Sequence, residues 1–267
     1  IGSVENTGVE FQLSSVNINS NGFTWSTDLN VSTVDNKITK LPNEDVIGDL
    51  NILRENEAIN SWYLVEYAGV DPDNGDALFY TNTGDGETTN DWNLAERIVA
   101  GKPFPDMIAG MTNSLSYKDF DLSFTFQGEW GASIYNNAGR FQEANGDWFD
   151  NQDAKQLKRW QNPGDVTDIP QARLGWSNGT QRSTRYLKSS DYIRLKNLTL
   201  GYNIPKTITD SAGISNARVY LSGFNLLTFT DYDGYDPESR SDAGGVGQVF
   251  YSAPAAKTIA IGVDLSF

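Results

Sequence analysis

The stretch Phe120-Asp121-Leu122-Ser123-Phe124-Thr125-Phe126-Gln127-Gly128-Glu129-Trp130-Gly131-Ala132-Ser133-Ile134 alternates strictly between two chemistries. Phe120, Leu122, Phe124, Phe126, Gly128, Trp130, Ala132 and Ile134 share one face, and Asp121, Ser123, Thr125, Gln127, Glu129, Gly131 and Ser133 share the other. Period two is the signature of a β-strand with one apolar side. At about 3.3 Å per residue such a strand is about 50 Å long, whereas ordinary strands run about five or six residues. A tilted strand that crosses a bilayer and continues beyond it has this length and this two-sidedness.

The same pattern recurs at both ends of the chain. Ile259, Ile261, Val263, Leu265 and Phe267 alternate with Thr258, Ala260, Gly262, Asp264 and Ser266. Phe23, Trp25, Thr27, Leu29 and Val31 alternate with Thr24, Ser26, Asp28, Asn30 and Ser32. Before them, Val9, Phe11 and Leu13 switch parity to Val16 and Ile18, which predicts a bulge. In 190–204, Leu198, Leu200 and Tyr202 fall on the parity of Arg194 and Lys196, as in a strand leaving a membrane into charged surroundings. Strands are expected at 8–19, 22–38, 59–70, 76–82, 107–118, 120–136, 186–204, 217–230 and 255–267, about nine in all. The pair 59–70 and 76–82 is the least regular.

Connections come in two sizes. Asn19 to Gly22, Tyr117 to Phe120 and Pro205 to Asn216 are short or moderate, while 39–58, 83–106, 135–185 and 231–254 are long, polar and rich in Gly, Asn and Asp. With alternating strand directions, all four long segments fall on one side and Phe267 on the other. Short turns at one end and long loops at the other is the asymmetry of outer-membrane barrels.

Composition narrows the functions. The 267 residues carry 12% aromatics, 38% hydrophobics and a net charge of −15, so the basic footprint of a nucleic-acid binder is missing. This balance suits a barrel with a polar lumen and equally a soluble all-β glycan-binding module. There is no Cys and no His, which removes thiolate metal sites, disulfides and every Ser–His or Cys–His nucleophile. The 35 acids make close carboxylate pairs inevitable without catalysis, and an enzyme is not expected. No run of apolar residues is long enough for a transmembrane helix. The chain starts at Ile1 without a leader-like segment, so any export signal is expected upstream or already removed.

Asp71-Pro72-Asp73-Asn74-Gly75-Asp76 fails the EF-hand spacing, with Gly75 and Asp76 where an oxygen ligand and the invariant Gly belong. A plain turn is the reading of these residues, although oxygen-rich acidic loops still admit an irregular Ca2+ site; no other cofactor is expected. In the long loops, Trp148, Phe149, Trp160, Trp176, Phe250 and Tyr251 stand among acids and amides, where aromatics suit sugar stacking or a protein interface; packing within the loops is the alternative. Phe23, Trp25, Tyr117, Phe120, Tyr202 and Phe267 lie near the short-turn ends and suit a girdle at the membrane interface.

Read in order, several stretches resemble one family. They are Gly2 to Asn6 running into Gly8-Val9-Glu10-Phe11, then Tyr67 to Pro72 with Gly75, Pro103 to Pro105, and Tyr117-Lys118 with Phe120 to Ser123. Asp191-Tyr192-Ile193-Arg194-Leu195-Lys196-Asn197, Leu200-Gly201-Tyr202, Gly223 to Leu226, Tyr235-Asp236-Pro237-Glu238 and the closing Phe267 follow. Collinear over nearly the whole chain, they resemble the C-terminal barrel region of the SusC-like family of TonB-dependent outer-membrane transporters. The resemblance implies an antiparallel transmembrane β-barrel of about 22 strands, with the plug and earlier strands outside residues 1–267. It further implies an energised importer in the outer membrane of a Gram-negative bacterium, engaging the TonB complex through its N-terminal part. Such a protein takes up glycans or peptides with a SusD-like surface lipoprotein. A soluble lectin-like module, or a barrel serving as a docking platform for surface proteins, are the alternatives.

Overall fold

The computed structural model describes residues 2–239 and 245–267. Residues 240–244, inside the expected loop 231–254, lie outside the described residues, as does Ile1. Seven strands form one antiparallel meander: β1 (Ser3–Ser20), β2 (Phe23–Lys40), β3 (Met107–Tyr117), β4 (Phe120–Trp130), β5 (Tyr192–Asn203), β6 (Asn216–Phe229) and β7 (Thr258–Ser266). Asn21 and Gly22 both take positive φ, 51° and 76°, which closes the β1–β2 hairpin with the backbone twist that tight hairpins need. Lys118 at φ 53° helps turn β3 into β4. Two short helical turns, Lys206–Thr209 and Asp210–Ala212, join β5 to β6.

The register sorts side chains into rows across the sheet. Phe23, Tyr117, Phe120, Tyr202, Val219 and Val263 make the row nearest the short turns, followed by Trp25, Leu115, Leu122, Leu200, Leu221 and Ile261. Further up the same face come Phe124 and Leu198, then Leu29, Met111, Phe126, Leu195 and Leu227. This apolar face carries much of the exposed hydrophobic surface, including Phe11, Leu200, Leu221, Ile261 and Val263. The opposite face is polar and internally bonded. Thr112 and Thr125 share a hydrogen bond of 2.9 Å, and Thr199 and Ser222 another of 2.9 Å. Arg218 Nε and Nη2 donate to the two Asp121 oxygens at 3.0 and 2.6 Å. Gly201 lies beneath that pair, and a Cβ there would stand 2.4 Å from Arg218 Nη2, so only glycine leaves the pair its room. Phe124, Leu122, Ile261 and Val263 thus fall on one face and Thr125, Asp264 and Gly262 on the other, the division expected from alternation.

Four expectations need correction. Residues 59–70 and 76–82 are not wall strands; Ser61–Val65, Tyr67–Val70 and Ala77–Tyr80 belong to two small separate sheets. The wall therefore has seven strands where about nine were expected, and because both segments leave together the parity of the ends stands. The four long loops collapse into three connections, 41–106, 131–191 and 230–257. The alternation from Phe120 does not run on to 136. Gly131 turns to φ 89°, its N–H donates to Asp191, and Ser133–Asn136 pairs instead with Leu187–Ser189 and, in parallel, with Gln248–Val249. Ala132 and Ile134 are consequently buried in the loop region.

The fourth correction is a face. A bulge between Leu195 and Asn197 shifts the register of β5, so Arg194 pairs with Gln127 and Thr228 on the polar face while Leu195 and Leu198 both stay on the apolar one. Arg194 and Lys196 do not share a face with Leu198, Leu200 and Tyr202. In β1 the expected bulge is present between Val16 and Ile18; Val16 lies opposite Ser26 and Ile18 opposite Trp25.

The buried core lies in the long connections and not in the wall. Leu50, Trp62, Leu64, Tyr135 and Tyr186 form one cluster, Val65, Ala77 and Phe79 a second, and Ile134, Tyr232 and Val249 a third. The connections are thus a folded cap at one end of the sheet. Among the described residues β1 pairs only with β2 and β7 only with β6, leaving the outer edge of each open.

Candidate functional site

The cap is fastened to the polar face of the wall by a charged clasp. The sequence stretches Asp191–Asn197 and Tyr235–Glu238 meet there. Arg194, with a side chain 3% exposed, forms ion pairs with Asp236 and Glu238, and its Nε donates to Thr228 Oγ1 at 2.9 Å. Lys196 Nζ donates to both Glu238 oxygens at 2.6 and 2.7 Å, and Tyr192 Oη donates to Glu238 at 2.8 Å. The backbone amides of Glu238 and Ala255 donate to Asp236 at 3.0 and 2.8 Å. Burial disfavours ionisation of Asp236, yet the Arg194 bond and these two amides outweigh it and hold the carboxyl below the usual range.

Beyond the clasp, the parallel pairing of Gln248–Val249 with Tyr135–Asn136 delivers Phe250 to the short helix Gly139–Gln142. Ring centroids lie 5.5 Å apart for Phe141 and Trp148, 5.8 Å for Phe141 and Phe250, and 4.8 Å for Phe250 and Tyr251. Aromatic contacts at these separations are favourable, and Trp148, Phe250 and Tyr251 remain exposed. Of the six loop aromatics singled out from sequence, Trp148, Phe250 and Tyr251 gather in this cluster; Phe149 and Trp176 are exposed apart from it. Trp160 is buried at 4% exposure. Its Nε1 donates to the Pro72 carbonyl at 3.0 Å, and a Cβ on Gly75 would stand 2.5 Å from its ring. Its indole packs the Asp71–Asp76 turn and offers no face to a ligand. That turn closes through its own side chains, Asp71 accepting from the Asp73 amide at 2.9 Å and Asn74 from the Asp76 amide at 2.8 Å, and Asp76 ties it to Arg173 at 2.5 Å.

Two clefts open beside the cluster. One of about 110 Å³ is lined by Gln142, Tyr232, Tyr235 and Tyr251 among others; burial pushes the Tyr232 phenol up to about 12. The second, about 250 Å³, is lined by Tyr67, Asp168, Thr184, Arg185 and Lys188. Both share Glu143, Lys155 and Asp233, where Lys155 Nζ lies 2.8 Å from Asp233 and 3.5 Å from Glu143. Burial works against the Lys155 charge, and its two acids outweigh burial and raise its pKa. Nothing in a single sequence brings these ionisable residues together, because they come from two connections, 131–191 and 230–257, with no shared spacing.

At the far end of the wall, Phe23, Tyr117, Phe120 and Tyr202 form one continuous aromatic row, with centroids 6.5 Å apart for Phe23–Tyr117 and 4.7 Å for Phe120–Tyr202. Trp25 sits one row in, its Nε1 donating to Asn113 at 2.9 Å, and Phe267 follows the last paired residue, 88% exposed.

No family model matches the chain. Over its full length it is 36% identical to TonB-dependent receptor P3 of Formosa agariphila and 33% identical to TonB-dependent receptor P26 of the same organism. It is 29% identical to TonB-dependent receptor SusC of Bacteroides thetaiotaomicron. It spans 29%, 29% and 27% of those three proteins, less than a third of their length. The whole chain also superposes on 30% of a chain of the RagAB peptide transporter with a TM-score of 0.85 and 31% identity. For the closed-closed state of the RagAB peptide importer the TM-score is 0.86.

Proposed function

The chain belongs to the SusC-like TonB-dependent receptors, a family of outer-membrane transporters and not of enzymes, and on that premise we propose that it supplies part of the wall and extracellular cap of an energised importer. The observation that carries this reading is the meander itself: one apolar and one polar face, short turns at one end, a folded cap at the other, and both outer edges unpaired among the described residues. An open edge in a bilayer leaves backbone groups unsatisfied, so the sheet calls for further strands to close it. Seven strands of a barrel of about 22 are about a third of its circumference, in keeping with the 29% of receptor P3 that the chain spans.

In this reading the apolar rows face lipid, the aromatic row of Phe23, Tyr117, Phe120 and Tyr202 marks the periplasmic interface with Trp25 just inside it, and Phe267 lies on that side. The cap faces outward. Its exposed aromatics, Trp148, Phe149, Trp176, Phe250 and Tyr251, form contact surface for a peptide or glycan and for a SusD-like surface lipoprotein. Engagement of TonB falls to parts of the receptor outside residues 1–267. The test is uptake by cells carrying the full-length receptor. Ligand accumulation should cease when the proton-motive force is collapsed, and a surface lipoprotein should co-purify. Accumulation indifferent to the proton-motive force removes the importer reading, and a receptor that binds surface proteins without uptake is a docking platform.

A further inference from the structure

The apolar face of the wall has one row in which a strand supplies no side chain. Leu198 pairs with Gly223 and Gly223 with Ile259, so two large residues flank a glycine. Just beyond, a bulge sets Asn225 and Leu226 of β6 against the single residue Lys196 of β5, and Asn225 takes a φ of 52°. The bulge lays Leu226 over Gly223, where a Cβ would stand 2.6 Å from Leu226 Cδ1. The result is an apolar groove of about 220 Å³, floored by Gly223 and walled by Leu122, Leu198, Leu200, Leu221 and Ile259. Lys257 stands one strand step beyond it. It closes the 230–257 connection on the parity of Ile259 and Ile261, and Asn225 Nδ2 holds that approach by donating to the Ala256 carbonyl at 3.1 Å. Lys257 is exposed and makes no hydrogen bond or ion pair among the described residues. The outward parities of β5, β6 and β7 carry no Asp or Glu to meet it.

We propose that the groove holds one acyl chain of an anionic bilayer lipid, whose phosphate Lys257 binds at the outer margin of the wall. The inference rests on the reading in which these rows face lipid, and adds to it a fixed lipid site. A smooth apolar face exchanges its lipid neighbours freely, because every chain packs on it equally well. A groove removes that equality, since an unfilled gap forfeits dispersion contacts and a flexible chain restores them from the membrane side. Lys257 then selects the headgroup. A lysine at the end of a spanning strand reaches the interface along its own stem and attracts anionic lipid there. The spacing suits a single molecule. Lys257 and Ile259 are two residues, about 7 Å of strand, apart, so a phosphate at the ammonium leads directly into a chain lying over Gly223. In a chain of net charge −15, a cation that meets no acid on its own face is left to an outside phosphate.

The test places the full-length receptor in vesicles of equimolar palmitoyl-oleoyl phosphatidylglycerol and phosphatidylcholine, extracts it in mild detergent and counts the retained lipid by native mass spectrometry. The last lipid to leave on repeated washing should be phosphatidylglycerol in preference to phosphatidylcholine by about fivefold, the attraction of one lysine for an anionic lipid. Lys257→Gln, at an exposed position, should abolish that preference. Gly223→Leu fills the groove, its β-carbon meeting first the flexible end of Leu226, and should lower retention of both lipids. Heat resistance of the barrel shows that each variant is folded. Equal retention of the two lipids by the parent, none included, overturns the proposal. So does a preference that survives Lys257→Gln, or a retention that survives Gly223→Leu. A receptor that inserts and holds the two lipids alike loses only this site, whereas one that stays in solution without detergent loses the lipid-facing reading as well.

Discussion

Arg194 shows how much depends on one residue's direction. Its two carboxylate partners come from the loop after β6, Asp236 lying 42 residues away in sequence. Removing one member of a buried, hydrogen-bonded ion pair costs about 3–5 kcal/mol, because the survivor keeps its desolvation penalty. Arg194→Met should therefore release the base of the 230–257 connection and expose 231–239 to protease, whereas the double change Arg194→Met with Asp236→Leu should recover much of the protection. Equal cleavage in the single and double variants would show that the clasp does not hold the loop. The same pair sets a pH dependence. The Asp236 carboxyl is held below its ordinary value, so its contribution is fully present above the unfolded pKa of about 3.9 and fades as pH falls through the lower folded value. Hydrogen exchange of 231–239 should stay flat, after correction for intrinsic rates, from neutral pH to about 5 and rise only below about 4. A rise centred near neutral pH would assign the loop's anchorage to other groups. Both halves of this clasp stand out in the sequence, but nothing there joins them. Strict alternation puts Arg194 with Leu198, and the bulge at Leu195–Asn197 that reverses it has no compositional mark. Trp160 and Trp176 are equally indistinguishable by sequence, since burial of the first depends on Pro72 and Gly75, far off along the chain.

At the scale of the strand, the rows make opposite forecasts for neighbouring residues. Phe124 lies on the apolar face, 6.0 Å from the Phe126 ring and opposite Leu198, while Thr125 bonds Thr112 on the polar face. In bilayers, Phe124→Arg should cost about 2–4 kcal/mol if its row lies at mid-depth, whereas Thr125→Arg should fold nearly as well as the parent. Folding titrations into vesicles measure both, and a larger penalty at 125 than at 124 would invert the face assignment. Gly201 carries a separate forecast. Gly201→Val drives a branched side chain into the Arg218–Asp121 pair, so the full-length barrel should lose heat resistance, and Gly201→Ala should fall between them. Alternation makes the faces of β2, β4 and β7 legible because an unbroken period of two has one physical reading. The ends of strands are less legible. The pattern from Phe120 runs unbroken through Gly131, yet the φ of 89° there sends Ser133–Asn136 into another sheet. Ser61–Val65 and Ala77–Tyr80 pass for wall strands because a short strand buried in a cap and one crossing a bilayer look alike over five residues.

For the whole molecule, the decisive feature is that the sheet does not close on itself. β1 and β7 end the meander with unpaired edges among the described residues, and their ladders cannot remain unpaired inside a bilayer at several kcal/mol for each polar group. The full-length receptor should therefore place a strand from outside residues 1–267 against β7 and another against β1. Residues 1–267 contain no cysteine, so paired cysteine substitutions in this sector meet no native thiol of its own. Ile261→Cys should form a disulfide with a suitably placed cysteine on a strand outside this chain, and none with Leu13→Cys or Phe11→Cys in β1. Cross-linking between β7 and β1 would mean that the seven strands close a small barrel of their own, and the reading of this chain as one sector of a larger wall would fall. Expression of residues 1–267 alone offers the complementary arm. Two open edges and an apolar face should drive it to aggregate or to pair with further copies, not to insert as a monomer. A heat-resistant monomer in vesicles would remove the sector reading as surely as the β1–β7 cross-link, by a route that does not depend on where any single cysteine was placed.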